Sequence, residues 1–316
     1  MNINLSKTIL DLDFASRLWV YLKEMFPIVP RFAISVFLFL GFTLYLSKIT
    51  QVSFTIFTVS SLIGIGFLFT VALILRLMDE LKDRQTDMIL FKDRPLPSGR
   101  VKEADIKFAL AVASVTYICF HLYSEQVFLS SLIVLGYTFL MFRYFFLPEK
   151  MHNCLLLNLA THNPVTVLIL LHLTTIFTVQ YNTNLANLNW LLLALIIVKF
   201  WFLFLSWEIA RKIRYPQEET EYITYSRIFG YIYAAIISLF IQTISYGIAL
   251  YLYYALSLSI VYLVIITIGY KILIFGYLRF LFKKMPTGIK LRSLAEFYAI
   301  VMMLAIIVES IWNGGL

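Results

Sequence analysis

Four carboxylates lie close together at one point of this chain, directly after a long run of mostly apolar residues. They are Asp79, Glu80, Asp83 and Asp87, all within nine residues. If a helix continues through them, Asp79 or Glu80, Asp83 and Asp87 share one face, where like charges four residues apart repel each other unless a cation lies between them. Carboxylate oxygens are ligands that suit Mg²⁺. This spacing predicts a magnesium site, and the alternative is a solvated loop with scattered charges.

Basic residues accompany carboxylates in two polar connections. In the first, at 79–103, Arg94 and Arg100 flank a Pro-Leu-Pro-Ser-Gly sequence. Guanidinium groups match phosphate oxygens in charge and geometry. The mixture therefore indicates a site for a metal ion and a phosphorylated ligand. The second connection, at 208–225, has a similar mixture: Glu208, Arg211, Lys212, Arg214, Glu218, Glu219 and Glu221.

The composition indicates which elements must position these residues. Of the 316 residues, 61% are hydrophobic and only 14% are charged, and the mean hydropathy is +0.84. Soluble domains carry about 25% charged residues. A transmembrane helix needs about 20 apolar residues. We therefore predict an all-α polytopic membrane protein, a single transmembrane domain of residues 1–316. Its nine transmembrane helices are predicted at 27–47, 53–78, 104–122, 126–147, 154–179, 188–207, 226–250, 254–278 and 293–312.

The basic residues indicate the orientation of these helices. Almost every lysine and arginine falls in the N-terminal segment or in the connections after the second, fourth, sixth and eighth helices; the other connections carry one lysine, Lys48. Short loops rich in basic residues stay cytoplasmic. We expect the N-terminus inside, the C-terminus outside and both polar connections at the cytoplasmic face, in a bacterial cytoplasmic membrane. The net charge of +8 then matches anionic lipids, and we expect no nucleic-acid partner.

Two motifs in the polar connections carry a resemblance to a known family. Asp79-Glu80-x-x-Asp83-x-x-x-Asp87, followed by Arg94-Pro95-Leu96-Pro97-Ser98-Gly99, is similar to the first signature of the UbiA-type intramembrane prenyltransferase superfamily, N-D-x-x-D-x-x-x-D with R-P-L-P-S-G. Glu208, Glu218 and Glu219 with the later Tyr225-Ser226-x-x-x-Gly230 resemble its second acidic region. The resemblance implies helices around a central cavity, both acidic regions at its cytoplasmic end, and a polyprenyl diphosphate bound through Mg²⁺.

The resemblance also implies roles for individual residues. The expected catalytic residues are Asp83, Asp87 and Glu208. The expected metal ligands are Asp79, Glu80, Asp83, Asp87, Glu208, Glu218 and Glu219. The expected diphosphate ligands are Arg94, Arg100, Lys212, Arg214 and Arg143, which ends the fourth predicted helix where the family also keeps a basic residue.

The chain departs from the family pattern at two places. Asp79-Glu80 replaces Asn-Asp, which lengthens one ligand by a methylene and removes an amide. Glu208-x-x-x-Lys212 replaces the D-x-x-x-D of many members. Two interpretations of Lys212 and Arg214 remain: they contact the diphosphate and replace part of the charge of a metal ion, or they are basic residues that only set the topology.

The implied reaction explains why such a site needs both kinds of charge. An allylic diphosphate ionises to a carbocation and pyrophosphate, and cations stabilise the charge that develops on the leaving group. We expect transfer of the prenyl group to an aromatic, quinone or lipid acceptor. A terpene cyclase of the same fold, in which an internal double bond attacks the cation, is the alternative. A membrane transporter with charged loops is a third class, which the R-P-L-P-S-G context disfavours.

Three polar positions lie inside predicted helices. His162-Asn163-Pro164 interrupts the fifth, where a break is tolerated only against protein or a water-filled cavity. His162 is therefore either a proton acceptor or substrate hydrogen-bond partner, or a hydrogen-bonded packing residue. Lys199 and Lys271 lie deep in the sixth and eighth helices, where a charge is costly unless it is paired or faces a cavity.

Overall fold

A computed structural model describes residues 13–184, 186, 188–282 and 290–314, apart from the side chain of His152. In this part the chain is helical and forms no β-strand. Its helices are α1 Phe14–Met25, α2 Ile28–Thr50, α3 Val59–Lys82, α4 Arg84–Leu90, α5 Glu103–His121, α6 Glu125–Phe142, α7 Pro148–Asn153, α8 Leu155–His162, α9 Val165–Gln180, α10 Trp190–Ala210, α11 Tyr225–Phe229, α12 Tyr231–Ala255, α13 Ile260–Phe282 and α14 Leu291–Trp312. Single 3-10 turns occupy Tyr144–Phe146 and Pro216–Glu218.

Nine of the described helical segments are long and apolar enough to cross a membrane. They are α2, α3, α5, α6, the pair α8 and α9, α10, α12, α13 and α14. Each overlaps one predicted span, so the prediction of an all-α polytopic membrane protein is confirmed. The largest displacements are at the starts of two spans: the second was predicted to begin at residue 53 and begins at Val59, and the eighth was predicted to begin at residue 254 and begins at Ile260.

The start of the seventh span shows why some observed helix boundaries differ from the predicted ones. Residues 226–250 were predicted as one helix, but Gly230 has φ +80° and separates the short helix α11 from α12. Glycine adopts this left-handed region without the steric penalty that a Cβ atom brings. The membrane helix therefore begins at Tyr231, five residues later than predicted.

The described residues form two compact units. The first comprises the residues up to Val36 together with Leu62–Leu147, and the second comprises Phe37–Ser61 and the residues from Pro148 onward. The first polar connection belongs to the first unit, and the second polar connection belongs to the second unit. The single transmembrane domain of residues 1–316 stays a prediction.

In the first unit, two ion pairs attach α1 to the rest of the unit. Arg17 binds Asp105 of α5 through two hydrogen bonds, with Nε–Oδ2 2.7 Å and Nη2–Oδ1 2.8 Å. Glu24 binds Arg100 in the same two-pronged manner. Between these pairs Tyr21 is fully buried. Helix α1 is therefore a fixed part of the unit that carries the first acidic region.

In the second unit, α13 and α14 pack closely through two glycines. A Cβ atom at Gly269 would meet the side chain of Val301, and one at Gly276 would meet Leu294. The two glycines lie seven residues apart, about two helical turns, so they present one flat strip to α14. Small residues of this kind allow helices to approach each other in membranes.

The buried lysine of α10 is held by aromatic residues of the second unit. Lys199 is fully buried, and its Nζ lies 3.1 Å from the hydroxyl of Tyr45. That hydroxyl lies 2.6 Å from the hydroxyl of Tyr262. The Nζ also lies 4.4 Å from the centre of the Tyr45 ring. Lys271, in contrast, is exposed on α13.

The predicted break in the fifth span is present. Helix α8 ends at His162, and Pro164 precedes the first residue of α9. The Oδ1 of Asn163 accepts a 2.5 Å hydrogen bond from the indole of Trp201 in α10. The Nδ1 of His162 lies 3.0 Å from the carbonyl of Asn158, within its own helix. This geometry fits the interpretation of His162 as a hydrogen-bonded packing residue.

Candidate functional site

The first acidic region lies across a bend between two helices. Helix α3 ends at Lys82, Asp83 has φ −92° and ψ 8°, and α4 begins at Arg84. The backbone N–H of Asp83 still donates to the carbonyl of Asp79, and that of Asp87 to Asp83, each at 2.9 Å. The helix is thus interrupted rather than continuous, but its four-residue hydrogen-bond spacing is kept through the acidic stretch.

Each of the four carboxylates has a partner within the first unit. Three form ion pairs and one accepts a hydrogen bond from a phenol: Asp79 with Lys82 at 3.2 Å, Glu80 with Arg76 at 2.5 Å, Asp87 with Arg94 at 2.6 Å, and Asp83 with the Tyr144 hydroxyl at 2.6 Å. The repulsion expected between neighbouring carboxylates is therefore offset by cations from this chain.

Burial differs strongly along the acidic stretch. The side chain of Asp79 is 49% exposed, whereas Glu80 is 1% exposed. The Oε1 atom of Glu80 is buried and has no hydrogen-bond partner among the described residues. A buried oxygen left without a partner costs free energy, and a cation or a water molecule would remove that cost. Glu80 is thus the carboxylate with an oxygen still available for a ligand.

Burial raises the pKa values of two side chains at the bend, Asp83 and Tyr144. Burial raises the pKa of the Asp83 carboxyl above its ordinary value, while Lys82 and the Tyr144 hydrogen bond oppose that rise. Burial and the neighbouring Asp83 also raise the pKa of the Tyr144 phenol, which therefore stays protonated and donates to Asp83.

The three arginines predicted to bind diphosphate in the first unit differ in position. Arg94 reaches the acidic stretch: it binds Asp87, and its guanidinium lies 3.9 Å from the centre of the Phe91 ring. Arg143 is exposed at the end of α6 and forms no ion pair in the described part of the chain. Arg94 is therefore the arginine that the structure brings together with the predicted metal ligands.

Arg100 is directed toward α1. Its Nη2 lies 2.8 Å from Oε2 of Glu24 and 2.6 Å from the backbone carbonyl of Asp93. The hydrogen bond that Arg100 donates to Glu24 raises the pKa of the Arg100 guanidinium. A phosphate that binds Arg100 must therefore compete with the Glu24 carboxylate.

In the second unit, Glu208 is surrounded by two basic residues. Arg211 binds it through two hydrogen bonds, with Nε–Oε2 2.5 Å and Nη2–Oε1 2.7 Å. The Nζ of Lys212 lies 3.4 Å from Oε1 of the same carboxylate. The side chain of Lys212 is 11% exposed, and that of Arg211 is 39% exposed. Lys212 thus occupies a position beside Glu208 where its charge compensates a carboxylate.

The other two glutamates of the second connection have different surroundings. Glu219 accepts hydrogen bonds from the hydroxyls of Thr224, at 2.8 and 2.9 Å, and Ser226, at 2.5 Å. Glu218 is exposed, and its Oε2 lies 3.4 Å from the backbone nitrogen of Tyr215. Glu219 therefore fixes the connection internally, whereas Glu218 is open to solvent.

Arg214 also contributes to the shape of the second connection. Its Nη1 donates to the Thr220 hydroxyl at 2.9 Å, and its backbone N–H donates to the Ser226 hydroxyl at 2.9 Å. These contacts fold the connection back on itself. The backbone N–H of Tyr225 closes it with a 3.0 Å hydrogen bond to the carbonyl of Lys212.

The donors of the first acidic region fit a hard divalent cation. They are carboxylate oxygens, which suit Mg²⁺, and one of them, in Glu80, is buried without a partner. In the described residues, however, no three histidine, cysteine or acidic side chains converge as a metal cage. A metal ion that binds the carboxylate oxygens now held by Arg76, Lys82, Arg94 or Tyr144 must displace these partners, whereas Oε1 of Glu80 has no partner to displace.

Three of these partners were not predicted. Arg76 precedes Glu80 by four residues, a spacing that favours ion pairs on a helix, so the sequence contained a signal for it. Lys82 lies three residues after Asp79, which is a similar signal. Tyr144 follows Asp83 by 61 residues, and no local pattern relates them.

Comparison with known proteins places the fold. No family model and no curated protein sequence matches the chain. Among similar solved structures, a digeranylgeranylglyceryl phosphate synthase is 18% identical with a TM-score of 0.61, over 94% of this chain and 99% of that chain. The apo structure of a UbiA homolog from Aeropyrum pernix K1 is 14% identical with a TM-score of 0.63, over 89% of this chain and 98% of that chain. The chain therefore has the same fold as these two solved structures, a UbiA-type fold.

Proposed function

We propose that this protein is a Mg²⁺-dependent prenyltransferase that transfers a prenyl group from a polyprenyl diphosphate to an aromatic, quinone or lipid acceptor within the membrane. The observation that carries the proposal is the carboxylate stretch Asp79–Asp87, in the sequence context of the UbiA signature and on a UbiA-type fold. In the reaction the bond between C1 of the prenyl group and the diphosphate oxygen breaks. A bond from C1 to the acceptor forms, and the acceptor loses a proton.

The proposed metal ligands of the first unit are the four carboxylates of the acidic stretch. Asp79, Glu80, Asp83 and Asp87 are the proposed ligands, and Glu80 offers an oxygen without a partner. When bound, Mg²⁺ supplies positive charge to the departing diphosphate. Tyr144 orients Asp83 through its hydrogen bond.

Basic residues of the first unit would hold the diphosphate. Arg94 keeps Asp87 oriented, and its planar guanidinium has five N–H donors in a geometry that suits phosphate. Arg100 and Arg143 are further proposed diphosphate ligands. Arg100 must release Glu24 to act in this way.

For the second unit, we propose Glu208 as a metal ligand and Lys212 and Arg214 as diphosphate ligands. The 3.4 Å separation between Lys212 and Glu208 supports a role in which the lysine supplies fixed positive charge. Glu218 is exposed and accessible as a further ligand, whereas Glu219 already accepts hydrogen bonds from Thr224 and Ser226.

A lipid acceptor has one additional support. The solved digeranylgeranylglyceryl phosphate synthase has a named product that carries geranylgeranyl groups on a glyceryl phosphate. Because this chain shares the fold of that synthase, lipid alcohols are the first acceptors that we would test.

The test is product analysis with purified protein, Mg²⁺ and prenyl diphosphates of graded chain length. Each reaction is run with and without phenols, quinones and lipid alcohols, and with a chelator as control. We expect a prenylated acceptor together with pyrophosphate, and no turnover after chelation. A cyclic hydrocarbon formed without any acceptor would instead establish the cyclase, and absence of pyrophosphate release with every substrate would reject prenyl chemistry.

A further inference from the structure

The ammonium of Lys271 belongs to the centre of a membrane-spanning helix. Lys271 lies eleven residues after Ile260 (271 − 260) and eleven residues before Phe282 (282 − 271), the two ends of α13. It is therefore about 16 Å from either end of the helix. A lysine near a helix end can direct its ammonium to the membrane surface, but Lys271 is too deep for that. Its charge thus lies within the hydrocarbon core of about 30 Å.

Lys271 is exposed in a stripe of apolar side chains on α13. Val264 and Leu278 lie seven residues before and after it, which places both within about 20° of it around the helix. Val264 is 47% exposed and Leu278 is 41% exposed. Exposed apolar side chains on both sides indicate contact with hydrocarbon rather than with a water-filled cavity. The face of α13 that carries Lys271 is therefore a lipid-facing surface.

The described part of the chain supplies no partner for this charge. Lys271 forms no ion pair and no hydrogen bond with any described residue. The neighbouring polar side chains of α12 and α13 pair with each other instead: the Tyr270 hydroxyl donates to Oγ1 of Thr243 at 2.8 Å, and the Tyr246 hydroxyl lies 3.1 Å from Oγ1 of Thr267. An uncompensated lysine at the centre of a bilayer is costly, and such residues pair with a group of opposite charge or with backbone carbonyls.

The depth of Lys271 restricts where the negative charge can come from. Phospholipid phosphates lie at the membrane surface, about 16 Å from it. A second copy of this chain, inserted with the same topology, has its residues at the same depths. Each acidic residue within a described span lies within five residues of one end of its helix, so a second copy has no carboxylate at the depth of Lys271. The carboxylate must therefore belong to another membrane-spanning chain.

We propose that the lipid-facing surface of α13 at Lys271 binds a transmembrane helix of another membrane protein, whose Asp or Glu near its own centre pairs with the Lys271 ammonium. A lone carboxylate in hydrocarbon is costly as well, so the pairing compensates two unfavourable charges at once. The exposed side chains of Ile268 and Phe275, three residues before and four residues after Lys271, pack against the partner helix. The inference does not depend on the proposed prenyl transfer.

The experiment measures the binding of synthetic transmembrane peptides to the full chain in phosphatidylcholine vesicles. Three Leu-Ala peptides of about 20 residues differ only at the central residue, which is Glu, Leu or Lys. Resonance energy transfer from a dye on the protein to a dye on the peptide is titrated against the ratio of peptide to lipid. We expect the Glu peptide to bind about tenfold more tightly than the Leu peptide. The Lys peptide should bind no more tightly than the Leu peptide.

Charge variants at Lys271 test the pairing directly. Lys271→Leu should bind the Glu and Leu peptides equally, and Lys271→Glu should prefer the Lys peptide. The matched control is Arg279→Leu, which removes an exposed basic residue from the last turn of the same helix and should keep the preference for the Glu peptide. Because Lys271→Leu removes an uncompensated charge from hydrocarbon, its melting temperature should be no lower than that of wild type.

Four results would overturn the assignment. Equal binding of the Glu and Leu peptides to wild type would show that Lys271 does not attract a carboxylate within the membrane. A preference for the Glu peptide that persists in Lys271→Leu would place the partner of that carboxylate elsewhere. A lower melting temperature of Lys271→Leu would show that this chain itself compensates the charge. Displacement of the Glu peptide by a stoichiometric amount of oleate would assign the surface to a lipid acid instead of a helix.

Discussion

The hydroxyl of Tyr144 donates a 2.6 Å hydrogen bond to Oδ1 of Asp83. Tyr144, Phe145 and Phe146 all have φ between 51° and 59°. The left-handed region costs roughly 1–2 kcal/mol per residue for side chains with a Cβ atom. Such a turn persists only where the surroundings hold it, and the bond to Asp83 is one such restraint. A strained turn at the end of α6 thus positions the carboxylate at the bend between α3 and α4.

Tyr144→Phe should therefore lower turnover without abolishing it. A hydrogen bond to a charged group contributes about 1.5–3 kcal/mol, which corresponds to roughly a 10- to 100-fold loss. The measurement is kcat/KM at several Mg²⁺ concentrations. Tyr233→Phe removes a hydroxyl from a residue that is 69% exposed and serves as the control. Unchanged kinetics in Tyr144→Phe would show that the bond does not matter to the reaction.

Asp83→Ala and Asp87→Ala should abolish detectable turnover while the protein stays folded in detergent. Loss of one group that stabilises developing charge raises a barrier by about 2.7–4 kcal/mol. Asp93→Ala, at an exposed aspartate of the same connection, should retain activity. Activity that survives a chelator would show that the reaction does not require Mg²⁺. Wild-type activity in Asp83→Ala would show that the Asp83 carboxylate has no essential role.

Lys212→Asp should change the Mg²⁺ concentration required for half-maximal activity, because a cation beside Glu208 becomes a possible ligand. Adjacent helical residues point about 100° apart, which by itself would favour Arg211→Asp as the control. The structure shows that Arg211 also binds Glu208, so it is a poor control. Arg227→Asp makes the same charge change on α11, just after that connection and away from the carboxylate. Equal shifts in Lys212→Asp and Arg227→Asp would mean that only net charge matters.

Glu219→Ala should loosen the second connection, whereas Glu218→Ala should not. Glu219 accepts hydrogen bonds from two hydroxyls, and their loss leaves Thr224 and Ser226 without these partners. We expect faster proteolytic cleavage within 213–226 and a lower melting temperature for Glu219→Ala. Normal protease resistance together with a changed Mg²⁺ requirement would assign Glu219 to the metal instead.

The orientation is tested by cysteine labelling from outside intact cells. Gln85, Gln217 and Asn184 are all exposed, so a cysteine at each is chemically accessible. We expect labelling at Asn184 and none at Gln85 or Gln217. Cys119 and Cys154 are exposed as well and must first be replaced. Labelling in the opposite pattern would reverse the topology.

The sequence predicted the membrane spans well because each depends on a continuous local property. A run of apolar residues must be helical in a bilayer, where every backbone polar group needs a partner inside the segment. Errors occurred at ends such as Gly230, where one residue leaves helical geometry without a change in hydropathy. The acidic stretch was also a local pattern, and the partner of Glu80 could have been read from the position of Arg76.

No local sequence pattern indicated the contacts between residues that lie far apart in the chain. Arg100 was predicted to bind diphosphate, but Glu24, 76 residues earlier in the chain, holds its guanidinium. Glu218 and Glu219 are equivalent in the sequence, and only the hydroxyls of Thr224 and Ser226 distinguish them. These relationships depend on how the folded backbone brings helices and connections together, which charge and spacing alone do not determine.

The buried charge of Lys199 affects membrane insertion during synthesis as well as packing in the folded protein. A lysine at the centre of a membrane helix raises the cost of insertion by about 2.5–3.5 kcal/mol. Helix α10 offsets this cost because it is among the most apolar of the nine segments. Its hydroxyl partner Tyr45 belongs to α2, which leaves the ribosome more than a hundred residues earlier. During synthesis, the Tyr45 hydroxyl that accepts a hydrogen bond from the Lys199 ammonium is thus already in the bilayer when α10 is inserted.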